Sequence, residues 1–475
     1  MSISRRLHLK SLLASAGLIG CSGASRAAES DLIGKWSGTL NIGATSLRLR
    51  FIISDAKTAR VISLDQGNAE ISASSVRIEG AKLGLTFSAI GARFEGELTD
   101  KDTLTGTFTQ GAAIPLTLKR GEAMAEVPPV AAKPLTLTLL QSLRAEAGTP
   151  ALGAAAQVQG KAPLIIVNGA RSVEDEIAVQ PTDQWHWGSI TKSMTATLVA
   201  RLVEAGKVSW DTRVASVFPK DINPAYADAT FRHLLSHRAG LQPNIDMFHL
   251  MAYSRDPLLD AREERRRYAL TALKQKPVGA LAEKMVYSNN GYIVAGAMLE
   301  DITGQPWETL IRAHVFDPLG LSSAGFGAPG RAGMIDQPLG HAVSGKVRKP
   351  APVGPKIVND NPVALGPAGR VHMSLADMLT YLSAHRDQPQ AFLKAASWHT
   401  LHTPPYGGDY AMGWVVRKDG SLWHNGSNTV WYGEVMVDPK AGVVCASAGN
   451  DAAPETQKAV SIALMSVRAA GLSTT

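Results

Sequence analysis

The sequence predicts a two-part protein in which a small antiparallel β-domain precedes a larger α/β domain. Three observations indicate this fold class. Short runs between about 31 and 120 alternate apolar with polar residues, an Ala/Pro-rich stretch follows them, and beyond it strands flank a long helical middle. At 475 residues, with 45% hydrophobic and 19% charged residues, the chain has enough material for two or three globular domains.

Residues 1–28 have the composition of an export signal. An apolar run too short to span a bilayer follows Arg5 and Arg6, and the segment resembles a twin-arginine signal. A Leu-Ile-Gly-Cys stretch ending at Cys21 resembles a lipobox, in which Cys21 would be acylated and would anchor the protein to a membrane. Cleavage after Ala27 is the alternative. Either way we expect an exported protein, periplasmic or a lipoprotein facing the periplasm.

Residues 29–120 are expected to form the small β-domain. Alternation of apolar and polar residues predicts strands at 35–40, 46–52, 93–98 and 104–108. The region contains neither His nor Cys, so we expect a spacer or an interaction module without chemistry of its own. Residues 121–134, rich in Ala and Pro, predict a semi-rigid linker.

Residues 135–475 are expected to form the α/β domain. Strands are predicted near its start, at 153–158 and 163–168, and near its end, at 410–417, 422–424, 432–438 and 443–448. Helical spacing marks 135–147, much of 190–400 and 453–470. Strands from both ends around a helical middle predict one antiparallel sheet with helices on both faces and a helical lobe beside it.

A Ser-x-x-Lys motif, Ser189 with Lys192, is the first candidate for chemistry. The apolar pattern over 191–205, with Met194, Leu198 and Leu202 on one side, predicts a helix that Ser189 would open. Lys192 then lies one turn away on the same face, where desolvation would lower the pKa of its ammonium and let it assist removal of the serine proton. Alone, the motif is more often an N-capping serine with a surface lysine.

Tyr287-Ser-Asn289 supplies a second candidate group. A phenol is a poor base at neutral pH unless a cation stabilises the phenolate, which Lys192 would do, so Tyr287 could take the serine proton and return it to a leaving group. The Asn289 amide could hydrogen-bond Lys192 and a substrate carbonyl. The alternative for Asn289 is a residue that caps the helix beginning near Gly291.

His424-Asn-Gly426 lies on a predicted strand that would flank this site. Gly426 would let a substrate backbone lie close against the strand, and His424 would face the substrate. The N–H of Ser427, together with that of Ser189, would point at a developing oxyanion. A strand-edge histidine before a turn is the alternative.

In this order the three motifs resemble those of the penicillin-recognising serine hydrolases, and specifically the class C β-lactamase-like family. The resemblance covers about 135 to 470 and implies a β-lactamase/transpeptidase-like fold. It also implies Ser189 as nucleophile, Lys192 and Tyr287 as its base system, Asn289 as a substrate-binding residue, and Ser427 in the oxyanion site. The sequence departs from the family where His424 and Asn425 replace the Lys and Thr of Lys-Thr-Gly, which puts antibiotic hydrolysis in doubt.

Other chemistries receive less support from the sequence. His233 and His237 have the i, i+4 spacing of a metal pair, but no third ligand is apparent, so no metal and no cofactor are expected. The net charge of +7 comes without a basic run interleaved with aromatics, so no nucleic-acid partner is expected.

The sequence therefore predicts an exported serine hydrolase that forms a Ser189 acyl-enzyme with small esters, amides or D-residue peptides. One alternative is a β-lactamase or D,D-peptidase proper. The other belongs to a different class: a catalytically silent, lipid-anchored binding protein.

Overall fold

The computed structural model describes residues 31–42, 45–63, 69–110, 112–121, 132–246, 249–250, 252–253, 260–354 and 360–473. The expected export signal, Cys21 and most of the expected linker lie outside these residues. None of the helices within these ranges is long and apolar enough to cross a membrane. The chain divides into two compact units, the first built largely from the N-terminal sheet.

The N-terminal sheet has nine strands in the order β4-β3-β2-β1-β9-β8-β7-β6-β5. The strands are β1 Gly34–Ile42, β2 Thr45–Ile53, β3 Ala59–Ser63, β4 Ala69–Ser72, β5 Ser75–Glu79, β6 Lys82–Phe87, β7 Ala92–Asp100, β8 Thr103–Gln110 and β9 Ala112–Arg120, with a short 3₁₀ turn at Ser88–Ile90. All four strands predicted in this region are present. The first and last strands, β1 and β9, pair antiparallel and so join the two ends of the segment.

Four phenylalanines form the centre of this sheet's core. Phe51 is fully buried, and its ring centroid lies 5.2 Å from that of Phe94 and 6.1 Å from that of Phe87. Phe108 packs edge-on against Phe51 at 6.5 Å. Because side chains alternate across a strand, these four phenylalanines reach the same face of the sheet.

The second unit is organised around a seven-stranded sheet in the order β12-β11-β10-β21-β20-β19-β18. Its strands are β10 Ala151–Val158, β11 Leu164–Ser172, β12 Asp175–Ala178, β18 Val415–Val416, β19 Leu422–Ser427, β20 Tyr432–Asp438 and β21 Val443–Gly449. All six neighbouring pairs are antiparallel. The central pair, β10 with β21, joins the two ends of the domain, which confirms the predicted single sheet.

Helices cover both faces of this sheet because β10 is apolar on both sides. Leu152 and Ala154 belong to one buried cluster with Val460 and Leu464 of the C-terminal helix, whereas Ala155 belongs to the cluster on the other face. The helices are α1 Leu137–Ala147, α2 Thr191–Glu204, α3 Val214–Val217, α4 Phe231–Leu235, α5 Ala261–Lys274, α6 Asn289–Thr303, α7 Trp307–Ile311, α8 Asp317–Leu319, α9 Gly366–Gly369, α10 Leu375–Asp387, α11 Ala395–His402 and α12 Pro454–Ser473.

Shorter elements complete the unit. A three-stranded sheet has the order β13-β17-β14, and β15 pairs with β16. These strands are β13 Gln184–His186, β14 Gly325–Phe326, β15 Gly340–Ser344, β16 Val347–Ala351 and β17 Val371–Ser374, with 3₁₀ turns at Gly188–Ile190, Pro224–Tyr226 and Val363–Leu365 and a π-helical turn at Arg312–Phe316.

Helix α2 differs in one respect from its sequence pattern. The pattern predicts a helix with one apolar side, but Thr195 and Thr197 on its polar side are as fully buried as Met194. Thr195 donates to the carbonyl of Pro367, and Thr197 to that of Ser193. Hydroxyls that find carbonyl partners can be buried at low cost, so polar residues here do not mark a solvent face.

Candidate active site

The candidate nucleophile lies on a tight turn between strand β13 and helix α2. The backbone N–H of Trp187 donates to the carbonyl of Val371, and its indole N–H donates to that of Met373, so strand β17 fixes the residue before the turn. Gly188 adopts φ +48, a left-handed conformation that glycine tolerates best. Ser189 stays partly exposed while Gly188 and Ile190 are buried, so its hydroxyl is the accessible group of the turn.

Lys192 is completely buried one turn further on. Its Nζ donates to Ser189 Oγ at 2.9 Å and to the carbonyl of Ala368 at 2.7 Å. Among the described residues, no carboxylate lies within ion-pair distance of Lys192. Burial without a counter-charge lowers the pKa of Lys192 well below its usual value. A neutral amine at this position can accept the proton of the serine hydroxyl.

Tyr287 borders the same hydroxyl from the other side. Its phenol hydrogen-bonds with Ser189, and the Nζ of Lys192 lies 5.0 Å from the centre of its ring. Burial raises the pKa of Tyr287, with the bond to Ser189 acting in the opposite direction. The sequence predicts that Lys192 stabilises a phenolate at Tyr287, but burial favours the neutral forms of both groups. Burial thus disfavours both the protonated amine of Lys192 and the phenolate of Tyr287.

Asn289 lies beside this cluster but makes a different contact from the one expected. Its Nδ2 donates to Asn244 Oδ1 at 2.8 Å, whereas the second bond of Lys192 goes to Ala368. The helix-capping alternative belongs to its neighbour, because Ser288 Oγ accepts from the N–H of Gly291. Asn289 is the first residue of α6 and remains half-buried.

Strand β19 lies directly against the nucleophile turn. A Cβ at Gly426 would lie 2.0 Å from the carbonyl oxygen of Trp187 and 2.7 Å from the amide nitrogen of Ser189, and a Cβ at Gly188 would lie 2.3 Å from the amide nitrogen of Ser427. Contacts this short exclude any side chain. Gly426 was expected to make room for substrate, but it makes room first for the protein's own backbone. The backbone amides of Ser189 and Ser427 therefore lie on two segments that pack directly against each other.

His424 is buried and both of its ring nitrogens are engaged within the protein. Nδ1 lies 2.5 Å from the carbonyl oxygen of Asn425, and Nε2 lies 3.0 Å from the hydroxyl of Tyr410. The carbonyl can only accept, so Nδ1 carries the proton and Nε2 accepts from the phenol. Burial, aided by the charge of Lys192, lowers the pKa of His424 to about 3, and the ring is neutral at physiological pH.

Two residues that sequence reasoning did not assign to the site complete its floor. The ring of His237 packs 4.3 Å from that of Tyr287 and 4.6 Å from that of Tyr410, and its Nδ1 accepts from the N–H of Ser288. Burial, with the charge of Lys192, lowers the pKa of His237 well below its usual value. Aromatic and imidazole faces around Tyr287 thus keep water from that phenol.

The two histidines with the spacing of a metal pair, His233 and His237, do not converge on a common site. His233 Nδ1 takes part in the capping box of helix α4 with Thr230, and its ring stacks on Tyr406. His237 instead has φ +60 and enters the aromatic floor. The helical spacing that suggested a common ligand breaks because α4 ends at Leu235, two residues before His237.

A buried lysine against a serine at the start of a helix, beside an antiparallel sheet with helices on both faces, defines a serine hydrolase of the β-lactamase/transpeptidase fold. A family model described as Beta-lactamase matches residues 138–467, and the chain belongs to that family of serine hydrolases.

Relatives within this family carry several activities in their names. The chain is 29% identical over 308 residues to penicillin-binding protein 4 of Amycolatopsis lactamdurans, covering 58% of this chain and 74% of that protein. It is 29% identical over 187 residues to esterase EstB of Burkholderia gladioli, covering 34% of this chain and only 44% of the esterase. The D-amino acid amidase of Ochrobactrum anthropi SV3, solved with L-phenylalanine amide, matches with a TM-score of 0.56 at 20% identity, covering 71% of this chain and 99% of that one.

Proposed function

We propose that this protein hydrolyses small esters, amides or D-residue peptides through a covalent acyl-enzyme on Ser189. The contact between the buried Lys192 Nζ and Ser189 Oγ, 2.9 Å long and with no carboxylate near it in the described part of the chain, is the observation that carries the proposal. A lysine held in this environment is a base at neutral pH, and it lies within reach of the proton that must leave.

The reaction would proceed in two balanced steps. Lys192 takes the hydroxyl proton as Ser189 Oγ attacks the carbonyl carbon, and the amides of Ser189 and Ser427 stabilise the oxyanion. The bond to the leaving group then breaks as Tyr287 donates its proton to that group, and Lys192 returns a proton to Tyr287. In the second step water attacks the acyl carbon, releasing a carboxylic acid and restoring the Ser189 hydroxyl.

Substrate binding would use the edge of β19 and the half-buried Asn289. His424, neutral and engaged on both nitrogens, offers no cation for a substrate carboxylate. This favours neutral acyl substrates over the β-lactams and D,D-peptides of the alternative reading. Names such as esterase and D-amino acid amidase among the relatives are consistent with that choice.

The remaining sequence predictions extend the proposal. The protein would be exported through residues 1–28 and, if Cys21 is acylated, anchored to a membrane facing the periplasm. A β-domain over 29–120 and a linker over 121–134 would then precede the hydrolase domain at 135–475.

Turnover of a short-chain nitrophenyl ester and of a chromogenic cephalosporin tests the function. Ser189→Ala should abolish turnover and covalent labelling by a serine-directed phosphonate. Ser447→Ala is the matched control, because this buried serine of β21 donates to Gly153 and lies outside the proposed site. Full turnover in Ser189→Ala would refute the nucleophile. A wild-type protein that is neither labelled nor active on any ester, amide or D-peptide tested would favour the silent binding protein.

A further inference from the structure

A buried carboxylate, Asp360, is linked through neighbouring side chains to both sides of the candidate oxyanion site. Asp360 is only 7% exposed, and its Oδ1 accepts from Asn428 Nδ2 at 2.8 Å and lies 3.0 Å from His186 Nε2. Its Oδ2 accepts from Arg370 Nε at 3.1 Å. Burial raises the pKa of Asp360, but His186 and Arg370 more than offset this, so the pKa lies below its usual range and the group is an anion.

On one side, Asp360 is linked to the nucleophile turn through His186. The backbone N–H of Gly188 donates to His186 Nδ1 at 3.1 Å, so the proton of a neutral ring must be on Nε2, facing Asp360. The imidazole is fully buried and stacks on Trp431 with a centroid distance of 5.5 Å. It therefore joins the carboxylate to the residue that immediately precedes Ser189.

On the other side, Asp360 is linked to the end of strand β19 through Asn428, which immediately follows Ser427. The Oδ1 of Asn428 accepts from the backbone N–H groups of Val430 and Trp431, so the side chain holds the whole turn. Thr429, which lies between Asn428 and Val430, has φ +86, a strained conformation for a β-branched residue. Such a conformation persists only where surrounding contacts impose it.

We propose that Asp360 is a positioning residue that sets the spacing of the two oxyanion amides, holding the Ser189 turn through His186 and the Ser427 end of β19 through Asn428. The inference rests on the proposed function, since it concerns the same oxyanion site. Asp360 touches no reacting atom. Stabilisation of the oxyanion requires both amide donors at hydrogen-bonding distance, so displacing one should raise the free energy of the transition state. Binding of the substrate in the ground state should change little.

Asp360→Asn tests this, because the change removes the charge at nearly constant shape. Turnover of a neutral nitrophenyl ester per phosphonate-labelled site should fall ~10- to 100-fold, with KM changed by less than about 2-fold. Affinity for an alkyl boronic acid, which forms a tetrahedral adduct with serine, should fall in parallel. A purely structural residue would change the melting temperature and leave these ratios alone.

Asp438→Asn is the matched control. Asp438 also pairs with an arginine, Arg468, but it ends β20 at the opposite end from Tyr432, the partner of Ser427. We expect it to leave kcat and boronic acid affinity unchanged. If Asp360→Asn does not fold, His186→Asn carries the test: its amide oxygen can still accept from Gly188 but no longer reaches Asp360. It should show the same split between kcat and KM.

The outcomes separate this inference from the proposed function. Absence of labelling and turnover in the wild type would refute the function. An active, labelled wild type with unaltered kcat per site and boronic acid affinity in both variants would refute the positioning role alone. Where Asp360→Asn and His186→Asn both fold, the double variant should lose less than the product of the two single losses, because the two residues act through one linkage.

Discussion

The hydroxyl of Tyr410 donates to His424 Nε2 across 3.0 Å and thereby occupies the one ring nitrogen that could have faced a substrate. His424 Nδ1 is directed at its own neighbour's carbonyl, at Asn425. The imidazole is thus neutral and fully engaged where the resemblance to Lys-Thr-Gly hydrolases implies an ammonium. Selectivity for the charge of the substrate should follow from this pair.

We expect the wild type to prefer p-nitrophenyl butyrate over p-nitrophenyl hemisuccinate, which has a carboxylate on an acyl chain of the same length. His424→Lys should raise the ratio of kcat/KM for the anionic over the neutral ester by ~10-fold or more, because a charge-assisted hydrogen bond is worth about 1.5–3 kcal/mol. His424→Gln, neutral like the wild type, is the control and should leave the ratio unchanged. An unchanged ratio in His424→Lys would show that the substrate carboxylate does not reach this strand.

The pH dependence of turnover should report Lys192. Because the base must be unprotonated, kcat should rise as pH rises through the pKa of Lys192, which burial places well below the usual value near 10.5. His424 should add no step near pH 6.5, because its pKa is lowered to about 3 and it stays neutral across the range. A pH–rate profile on the nitrophenyl ester measures both. An acid limb at the pKa of an ordinary lysine would contradict the assignment.

Lys192→Arg tests the same group by substitution. Arginine stays protonated where Lys192 is a neutral amine, so it can neither accept the serine proton nor fit the buried space. We expect kcat to fall ~10²- to 10⁴-fold, the usual contribution of a positioned base. Lys161→Arg, in the exposed turn between β10 and β11, is the control for the chemistry of the change and should have no effect.

Local patterns in the sequence were sufficient to predict the central sheet and three side chains that the structure brings together. The hairpin pattern around Gly160 predicted the strand at 153–158, and an apolar run predicted the strand at 443–448. The two strands pair in the centre of the sheet, where both of their faces are buried. Ser189, Lys192 and Tyr287 were predicted from their motifs, and the structure brings their side chains together.

What the sequence did not reveal depends on contacts between distant segments. The local sequence cannot show whether Gly426 makes room for a substrate or for the protein's own backbone, since only the fold brings β19 onto the Ser189 turn. Asp360 follows no recognisable motif, and its link to His186 spans residues far apart in the chain. The sequence singled out His237 only as a candidate metal ligand with His233. The positive φ of His237, which separates it from His233, has no signature in the sequence.

Gly426→Ala should lower kcat by a larger factor than its effect on the stability of the fold can explain. Its Cβ would meet backbone atoms of Trp187 and Ser189, which cannot rotate away, so the strand must move relative to the turn. Displacing one oxyanion donor costs ~10²- to 10³-fold in kcat. Kinetics per labelled site, with thermal unfolding in parallel, separates the two effects.

Gly471→Ala is the control for that substitution. Gly471 lies in helix α12, and a Cβ added there would be 3.4 Å from the Cβ of Ala156, an ordinary contact. Alanine also favours a helix over glycine by about 1 kcal/mol. We therefore expect unchanged kcat and equal or higher thermal stability. Full activity in Gly426→Ala would mean that β19 and the Ser189 turn are not held in fixed register.

Acid should destabilise the protein through its buried histidines. Burial lowers the pKa of His237, His385 and His424, the last to about 3, whereas each titrates near 6.5 when unfolded. The unfolded state therefore binds protons first as pH falls. The stability that these neutral rings contribute is fully present above about pH 6.5 and is lost progressively as the pH falls below that value.

His385→Gln isolates one of these protons outside the proposed catalytic groups. The ring is fully buried, and its Nδ1 lies 2.8 Å from His402 Nε2 between the indoles of Trp398 and Trp414. Between pH 6 and 4, the slope of the free energy of unfolding against pH should decrease by ~1.4 kcal/mol per pH unit, the value for one proton.

Urea unfolding at pH 7, 6, 5 and 4 measures this slope. His399→Gln, on the next helix α11, is the control, because it removes an exposed histidine and no buried ring. An equal slope in His385→Gln and wild type would mean that the buried ring already carries its proton in the folded state.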